Sequence, residues 1–386
     1  YGKVQSYNAP VSEDAMFRYT AALQALLNDR RNTVRFGDVT CVFWADQDIG
    51  MFSGVIGGAL RGQEPEAEEN GFLNSKQTEK VKNILRKAVF LTPQRYGDLL
   101  QEDPQFDENI GIHILGLSPN VARLSVRFWY ENTFGHFLAR MRRHYEDMEI
   151  VHSAKITRHI SVNDILRSTA VQKKSENVPK NIEGPLMDAI LKGTPYPAGI
   201  YQAILMRIHA EAGEDYPVDY TRAAFIKAYL TRKHRFENIG LEEIPVIVNE
   251  NVKSKGYHLG RLFALLEVIQ ADAKNTGLCE KYMRSASTTP FLVFPTLMNL
   301  AVHHLKKSDY RVSREKSLRE IMNKVSVSVL ENGQEEGFPV KLSLEEQGMF
   351  MLGYYQQRED IYTKKTEGAE ETPEPGNENN EEEKGE

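Results

Sequence analysis

The chain has 386 residues, 41% hydrophobic and 26% charged, enough for roughly two to three domains whose core needs no covalent staples. Two cysteines, Cys41 and Cys279, make neither a disulfide framework nor a metal-type spacing, so a reducing cytoplasm is expected and no metal or cofactor is. The net charge of −6 hides a split: Thr366–Glu386 hold nine Glu and one Lys, leaving 47 basic against 45 acidic groups elsewhere, which excludes a uniformly basic coat for nucleic acid but permits a confined groove.

Tyr1 is not a start methionine and no signal peptide follows it, so the chain reads as beginning inside a longer protein or as processed. The opening loop runs to Pro10, and Ser12 caps a helix to about Leu27, with Phe17, Ala21, Leu23 and Leu27 near helical spacing. Val39–Trp44 is β-branched and aromatic and predicts a strand. Residues 46–70 mix Gly with Asp and Glu and read as a flexible loop, followed by a helix over 76–89. Ile110–Leu117 and Val121–Tyr130 predict a hairpin turning at Ser118-Pro-Asn120. Thr133 caps a long helix to about Ile150. Beyond it, helices are expected over 160–171, 185–192, 197–212, 219–235, 257–274, 290–308, 313–330 and 344–362. The longest apolar run, Phe291 to Val302, is 12 residues, short of the roughly 20 that span a membrane. From Thr366 the chain is Glu-, Pro-, Gly- and Asn-rich and too polar to fold.

The expected class is therefore α+β, a mixed front half with a strand hairpin and a mainly helical back half ending in a bundle and a disordered acidic tail. The divisions are 1–150, 151–240, 241–365 and 366–386.

Helical faces sort the charges. In the helix after Thr133, Phe134, Phe137, Leu138, Met141, Tyr145 and Met148 form one apolar stripe. His136, Arg140, Arg143 and His144 share another face, suited to clamping phosphates or, equally, to a solvated face partnered by Glu146 and Asp147. In 219–235, Lys227, Thr231, His234 and Arg235 oppose Phe225, Ile226 and Tyr229, and the terminal basic run also suits the helix dipole. The helix 290–308 is apolar over most of its surface, which predicts deep burial, with Asn299, His303, Lys306 and Lys307 as its polar stripe and His304 in the core.

Catalytic patterns are weak. Gly2-Lys3 lacks the Ser or Thr of a phosphate loop, since Val4 follows. Asp38, Asp46 and Asp48 flank a strand and suggest a two-metal nuclease cluster, but carboxylates there are far more often turn residues. No catalytic residue is expected.

Longer strings are more specific. Gly2-Lys-Val-Gln-Ser-Tyr-Asn-Ala-Pro-Val-Ser12, Phe17-Arg-Tyr-Thr-Ala-Ala-Leu23, Gly37-Asp-Val-Thr-Cys-Val-Phe-Trp-Ala45 and Gly193-Thr-Pro-Tyr-Pro197 lead the set. Arg222-Ala-Ala-Phe-Ile-Lys-Ala-Tyr-Leu230, Tyr257-His-Leu-Gly-Arg-Leu-Phe-Ala264, Ser285-Ala-Ser-Thr-Thr-Pro290, His303-His-Leu-Lys-Lys307 and Glu346-Gln-Gly-Met-Phe-Met-Leu-Gly-Tyr-Tyr355 continue it. In this order they resemble the type I-C CRISPR-associated large subunit (the Dvulg subtype), from residue 1 to about 365, without its N-terminal part. The resemblance implies a non-catalytic subunit of the Cascade surveillance complex. Its partners would be the guide RNA with the backbone and guide-processing subunits, target DNA including the displaced strand, and a helicase–nuclease, with no membrane.

The resemblance also implies that the C-terminal bundle can be made separately from an internal start. The sequence has no methionine between Met206 and Met283, so such a start would need another codon, as at Val246, Val248 or Val252. Candidate nucleic-acid contacts are Arg140, Arg143 and His144 in front and Lys227, Arg235, His303, Lys306 and Lys307 behind, all by phosphate neutralisation. Gln5 and Asn8 carry amides suited to base edges, or else shape the loop before Pro10. A purely structural subunit and an Asp38/Asp46/Asp48 nuclease are the alternatives.

Overall fold

The computed structural model describes residues 11–370, apart from 48–49, 66–72, 91–106, 122, 154–155, 157–158, 215, 238–243 and 327–336. Helix α1 (Glu13–Asn28) begins where the Ser12 side chain accepts from the Ala15 amide. It buries no residue: Phe17 and Tyr19 are exposed, so the expected stripe rests only lightly on the body.

Four antiparallel strands follow in the order β1 (Thr33–Phe36), β2 (Val39–Ala45), β3 (Gly111–Asn120) and β4 (Arg123–Thr133). Alternation puts Cys41, Phe43, Ile112, Ile114, Phe128 and Tyr130 on the core face. Trp44, His113 and Trp129 gather on the other face, with the Trp44 and His113 rings stacked 5.1 Å apart. The hairpin does not turn at Ser118–Asn120 as the sequence suggested. Pairing runs on to Asn120↔Arg123, and Val121 takes the positive φ of 56° that the tight turn demands.

The stretch 46–70, read as a loop, contains helix α2 (Met51–Arg61). Its Met51, Phe52, Val55, Ile56, Ala59 and Leu60 are buried, and the glycines between them serve contact, not flexibility. A Cβ on Gly58 would stand 2.5 Å from a Leu85 methyl and 2.9 Å from the Gln63 carbonyl oxygen. Helix α3 (Ser75–Ile84), with an Asn74–Gln77 capping box, continues as a π-turn through Phe90, and α4 (Phe134–Met148) starts on the Thr133 cap.

The back half comprises α5 (Val162–Ser168), α6 (Glu183–Lys192), α7 (Ala198–Ala210), α8 (Tyr220–Glu237), α9 (Lys255–Asp272), α10 (Leu278–Thr288), α11 (Pro290–Leu305), α12 (Arg311–Ser326) and α13 (Leu344–Glu370). Helix α10 was not expected, because its Ser/Thr-rich C-terminal end resembles a linker. Instead those hydroxyls bond back to carbonyls one turn earlier, as Ser287 does to Met283. Helix α13 extends past Thr366, where the tail was expected to begin; residues 371–386 lie outside the described residues. Helix α11 is not deeply buried. Val293, Phe294, Leu297, Ala301 and Leu305 face inward, while Phe291, Leu292 and Val302 are more than half exposed.

The most intimate helix pair is α9 against α13. Gly256 and Gly260 on α9 and Gly353 on α13 bring the two backbones into direct contact: a Cβ on Gly260 would collide with the Phe350 carbonyl oxygen, and one on Gly353 with that of Tyr257. Two of the strings singled out in the sequence, 257–264 and 346–355, are thus the two sides of one crossing. The segments read as 151–240 and 241–365 are also stitched together, since Tyr201 donates to the Leu344 carbonyl and Tyr355 to that of Val151. Replacing Gly260 by Ala should lower unfolding free energy by about 3 kcal/mol through overpacking, whereas Gly199→Ala, where nothing lies within 4 Å, should stabilise or be neutral. Urea denaturation of both variants checks this.

Candidate nucleic-acid interface

The predicted contacts divide into interior struts and free surface. Asp147, at the end of α4, is 2% exposed and collects three of the basic groups assigned to DNA, Arg143, Lys227 and Arg235, together with Arg232. Arg235 donates to both its carboxylate oxygens, at 2.6 and 3.2 Å, and Arg232 donates to one at 3.2 Å. Arg143 reaches within 3.7 Å of the same group, and Lys227 donates to the Asp147 backbone carbonyl at 3.2 Å. Arg232 is 1% exposed, lies 3.8 Å over the Tyr196 ring and also donates to the carbonyls of Ala189 and Thr194.

His144 and Lys227 are therefore buried residues, not members of the polar faces on which helical spacing placed them. The His144 Nδ1 pairs with the Tyr196 hydroxyl at 2.6 Å. Arg235 is partly accessible, but its guanidinium is already held in bidentate fashion. A helical wheel shows polarity but not which neighbour covers a face, and here α4 and α8 cover each other's polar sides.

Arg140 and Arg143 are similarly engaged. Arg140 donates to His136 Nε2 at 3.3 Å, so His136 Nδ1 holds its proton toward the Tyr130 hydroxyl at 3.1 Å. Burial and the Arg140 charge hold the His136 ring below its usual pKa, consistent with a neutral acceptor. Arg143 is half-exposed and pairs with Glu146 at 3.2 Å. His234, on the same helix as Arg235, pairs with Glu345 of α13. Gln5, Asn8 and Asp48 lie outside the described residues. Asp38 and Asp46 sit at opposite ends of β2, roughly 25 Å apart at 3.3 Å per residue, and Asp46 is taken up by His113 at 3.0 Å. These two carboxylates do not share a metal site.

The back-half residues behave differently. His303, Lys306 and Lys307 are exposed at the end of α11, and both lysines are without an ion pair among the described residues. His304 is half-buried, with burial and the neighbouring Lys307 and His303 lowering its pKa. The sequence reading missed the continuation of this surface. Lys316, Arg319 and Lys324 on α12 are exposed and likewise unpaired among the described residues, while Arg311 and Arg314 are taken by Glu315 and Asp272. Tyr310, 56% exposed, stands between the two helices. The signal was present as density: His303–Ser326 carries seven Lys and Arg against three Asp and Glu.

A family model described as CRISPR-associated protein (Cas_Csd1) matches residues 1–362. The chain belongs to this CRISPR-associated family. The match spans both the four-stranded sheet and the helical back half. No curated protein matches the chain. Among the described residues no helix is long and apolar enough to cross a membrane.

The interior charges and rings govern stability. Asp147→Ala leaves Arg232 buried without its carboxylate and should cost about 3–5 kcal/mol of stability, seen as a lower urea midpoint. Burial holds His144 at about 3 and His209 at about 4. Both rings take up a proton near pH 6.5 in the unfolded chain only, so their stabilisation is complete above pH 6.5 and lost as pH falls toward those values. The loss should be on the order of 1 kcal/mol per pH unit for each ring. Urea midpoints at pH 7 and pH 5 measure it, and His144→Gln should flatten the difference.

Proposed function

We propose that the chain is a non-catalytic large subunit of a type I-C Cascade complex that holds target DNA through the outer surface of α11 and α12. The observation supporting this is the contrast in how cations are used. Lys306, Lys307, Lys316, Arg319 and Lys324 are exposed and unpaired among the described residues, whereas Arg140, Arg143 and Arg235 are committed to a ring nitrogen or to carboxylates. Unpaired surface cations neutralise phosphates and release counterions, giving affinity without sequence choice. The exposed Tyr310 adds a ring on which an unpaired base can stack, which favours a single displaced strand over intact duplex. In this reading the guide RNA supplies sequence recognition by pairing, and the subunit stabilises the opened DNA and presents the complex to the helicase–nuclease.

A second reading, a subunit that contacts only proteins, is favoured by the exposed apolar side chains of Phe291, Leu292 and Val302 on the same α11. The two readings separate by salt. Complex reconstituted with guide RNA and carrying Lys306→Ala/Lys307→Ala/Arg319→Ala should assemble normally and bind target DNA more weakly. The slope of log affinity against log salt should become shallower by about 0.7 for each single-strand phosphate no longer neutralised. Arg143→Ala should leave both unchanged. Wild-type affinity and slope in the triple variant would remove the DNA-contact reading and leave the protein-contact one.

A further inference from the structure

A cavity of about 1350 Å³ separates α1 from α2 and the outer face of the sheet. Its size exceeds the roughly 300–1,000 Å³ of small-molecule sites, which suits a few units of a polymer. Its walls have a consistent chemistry. Trp44 and Tyr19 supply aromatic surface, and Arg30 and Arg61 supply charge. Among the described residues the two acidic side chains on the lining, Asp29 and Glu64, are already neutralised by Arg31 at 2.5 Å and by Arg86 at 2.6 Å. Arg30 and Arg61 have no carboxylate partner among the described residues. Arg61 is half-buried and, among the described residues, donates only to the backbone carbonyls of Thr33, at 2.8 Å, and Arg30, at 3.4 Å. Its position is built: a Cβ on Gly57 would stand 2.8 Å from the Arg61 guanidinium, so glycine makes the space in which that cation lies. A desolvated guanidinium held by neutral carbonyls alone is an incomplete arrangement that an anion would complete.

The aromatic wall is equally specific. Trp44 stacks on His113, and Trp129 closes the group at 5.7 Å from Trp44, 43% exposed. His113 is pinned from the far side by Asp46, which fixes the stack and leaves indole surface open. Unpaired cations beside a rigid indole surface match alternating phosphates and bases.

We propose that this cavity binds a single-stranded stretch of nucleic acid, with phosphates on Arg30 and Arg61 and a base against the Trp44 surface. It is a site separate from the α11–α12 surface and stands or falls independently of it.

The sequence contains two tryptophans, Trp44 on the cavity lining and Trp129 beside it at 5.7 Å, so tryptophan fluorescence, excited apart from the tyrosines, reports on this wall. The purified chain would be titrated with single-stranded DNA and, separately, single-stranded RNA of about a dozen nucleotides, with the matching duplex and polyglutamate as comparisons. Saturable quenching by a single strand is expected, with the two single-stranded arms showing whether the strand is DNA or RNA. Arg30→Gln, at an exposed position whose side chain has no hydrogen bond or ion pair among the described residues, should weaken the single-strand midpoint several-fold. Arg30→Gln/Arg61→Gln should weaken it by about tenfold or more, the loss of 1.4 kcal/mol or greater expected for charge-assisted bonds. Lys306→Ala/Lys307→Ala should leave the quenching midpoint unchanged. Absence of quenching by either single strand, equal quenching by duplex or polyglutamate, or an Arg30→Gln midpoint equal to wild type would each overturn the proposal.

Discussion

One buried carboxylate organises the middle of the molecule. Asp147 ends the helix that leaves the sheet and faces α8, where Arg232 and Arg235 converge on it. A guanidinium at 1% exposure is tolerable only with its charge answered and its protons placed. Arg232 has a carboxylate, two carbonyls and a tyrosine ring for this purpose. Those groups come from α4, α6 and the loop before α7, so the requirement of one side chain fixes the relative placement of three elements. A second buried pair, Arg222 with Glu211 at 2.5 Å, repeats the device at the other end of α8. That helix carries cations on most sides, yet nearly all are consumed inside.

This explains where sequence reading succeeded and where it did not. Periodicity and caps located α1, α4, α8, α9, α11, α12 and α13 and the strands β2, β3 and β4, because those signals are local: Ser12 and Thr133 cap the amides that they precede. Gly54, Gly57 and Gly58 misled because composition cannot tell a glycine that bends from one that lets Leu85 approach. The charged faces misled for the same reason. Whether Lys227 meets water or the Asp147 carbonyl depends on a helix eighty residues away. Lys306 and Lys307 were legible because a helix end followed by a polar loop stays exposed in most packings, and Lys316, Arg319 and Lys324 continue that surface.

Two classes of cation emerge with different physical duties. Interior arginines are permanent, shielded from salt and bound to fixed partners. Outer lysines stay in contact with water and small ions, so whatever anion they meet is held in a way that responds to ionic strength. Arg61 and Arg30 fall in neither class, since Arg61 is placed like an interior group while both keep donors that no carboxylate among the described residues takes up. The match to a single CRISPR-associated family spans all three sets.

The glycine-lined crossing of α9 and α13 has a consequence for the order of synthesis. The two helices are separated in sequence by α10, α11 and α12. On a ribosome, the groove at Gly256 and Gly260 emerges first and stays uncovered while the intervening helices are made. Its partner surface around Gly353 follows only after those three helices, so the back half cannot close until they have all been synthesised. Until then an apolar groove shaped for one helix is open, and that interval is when chaperone capture or misassociation of the nascent chain is most favoured.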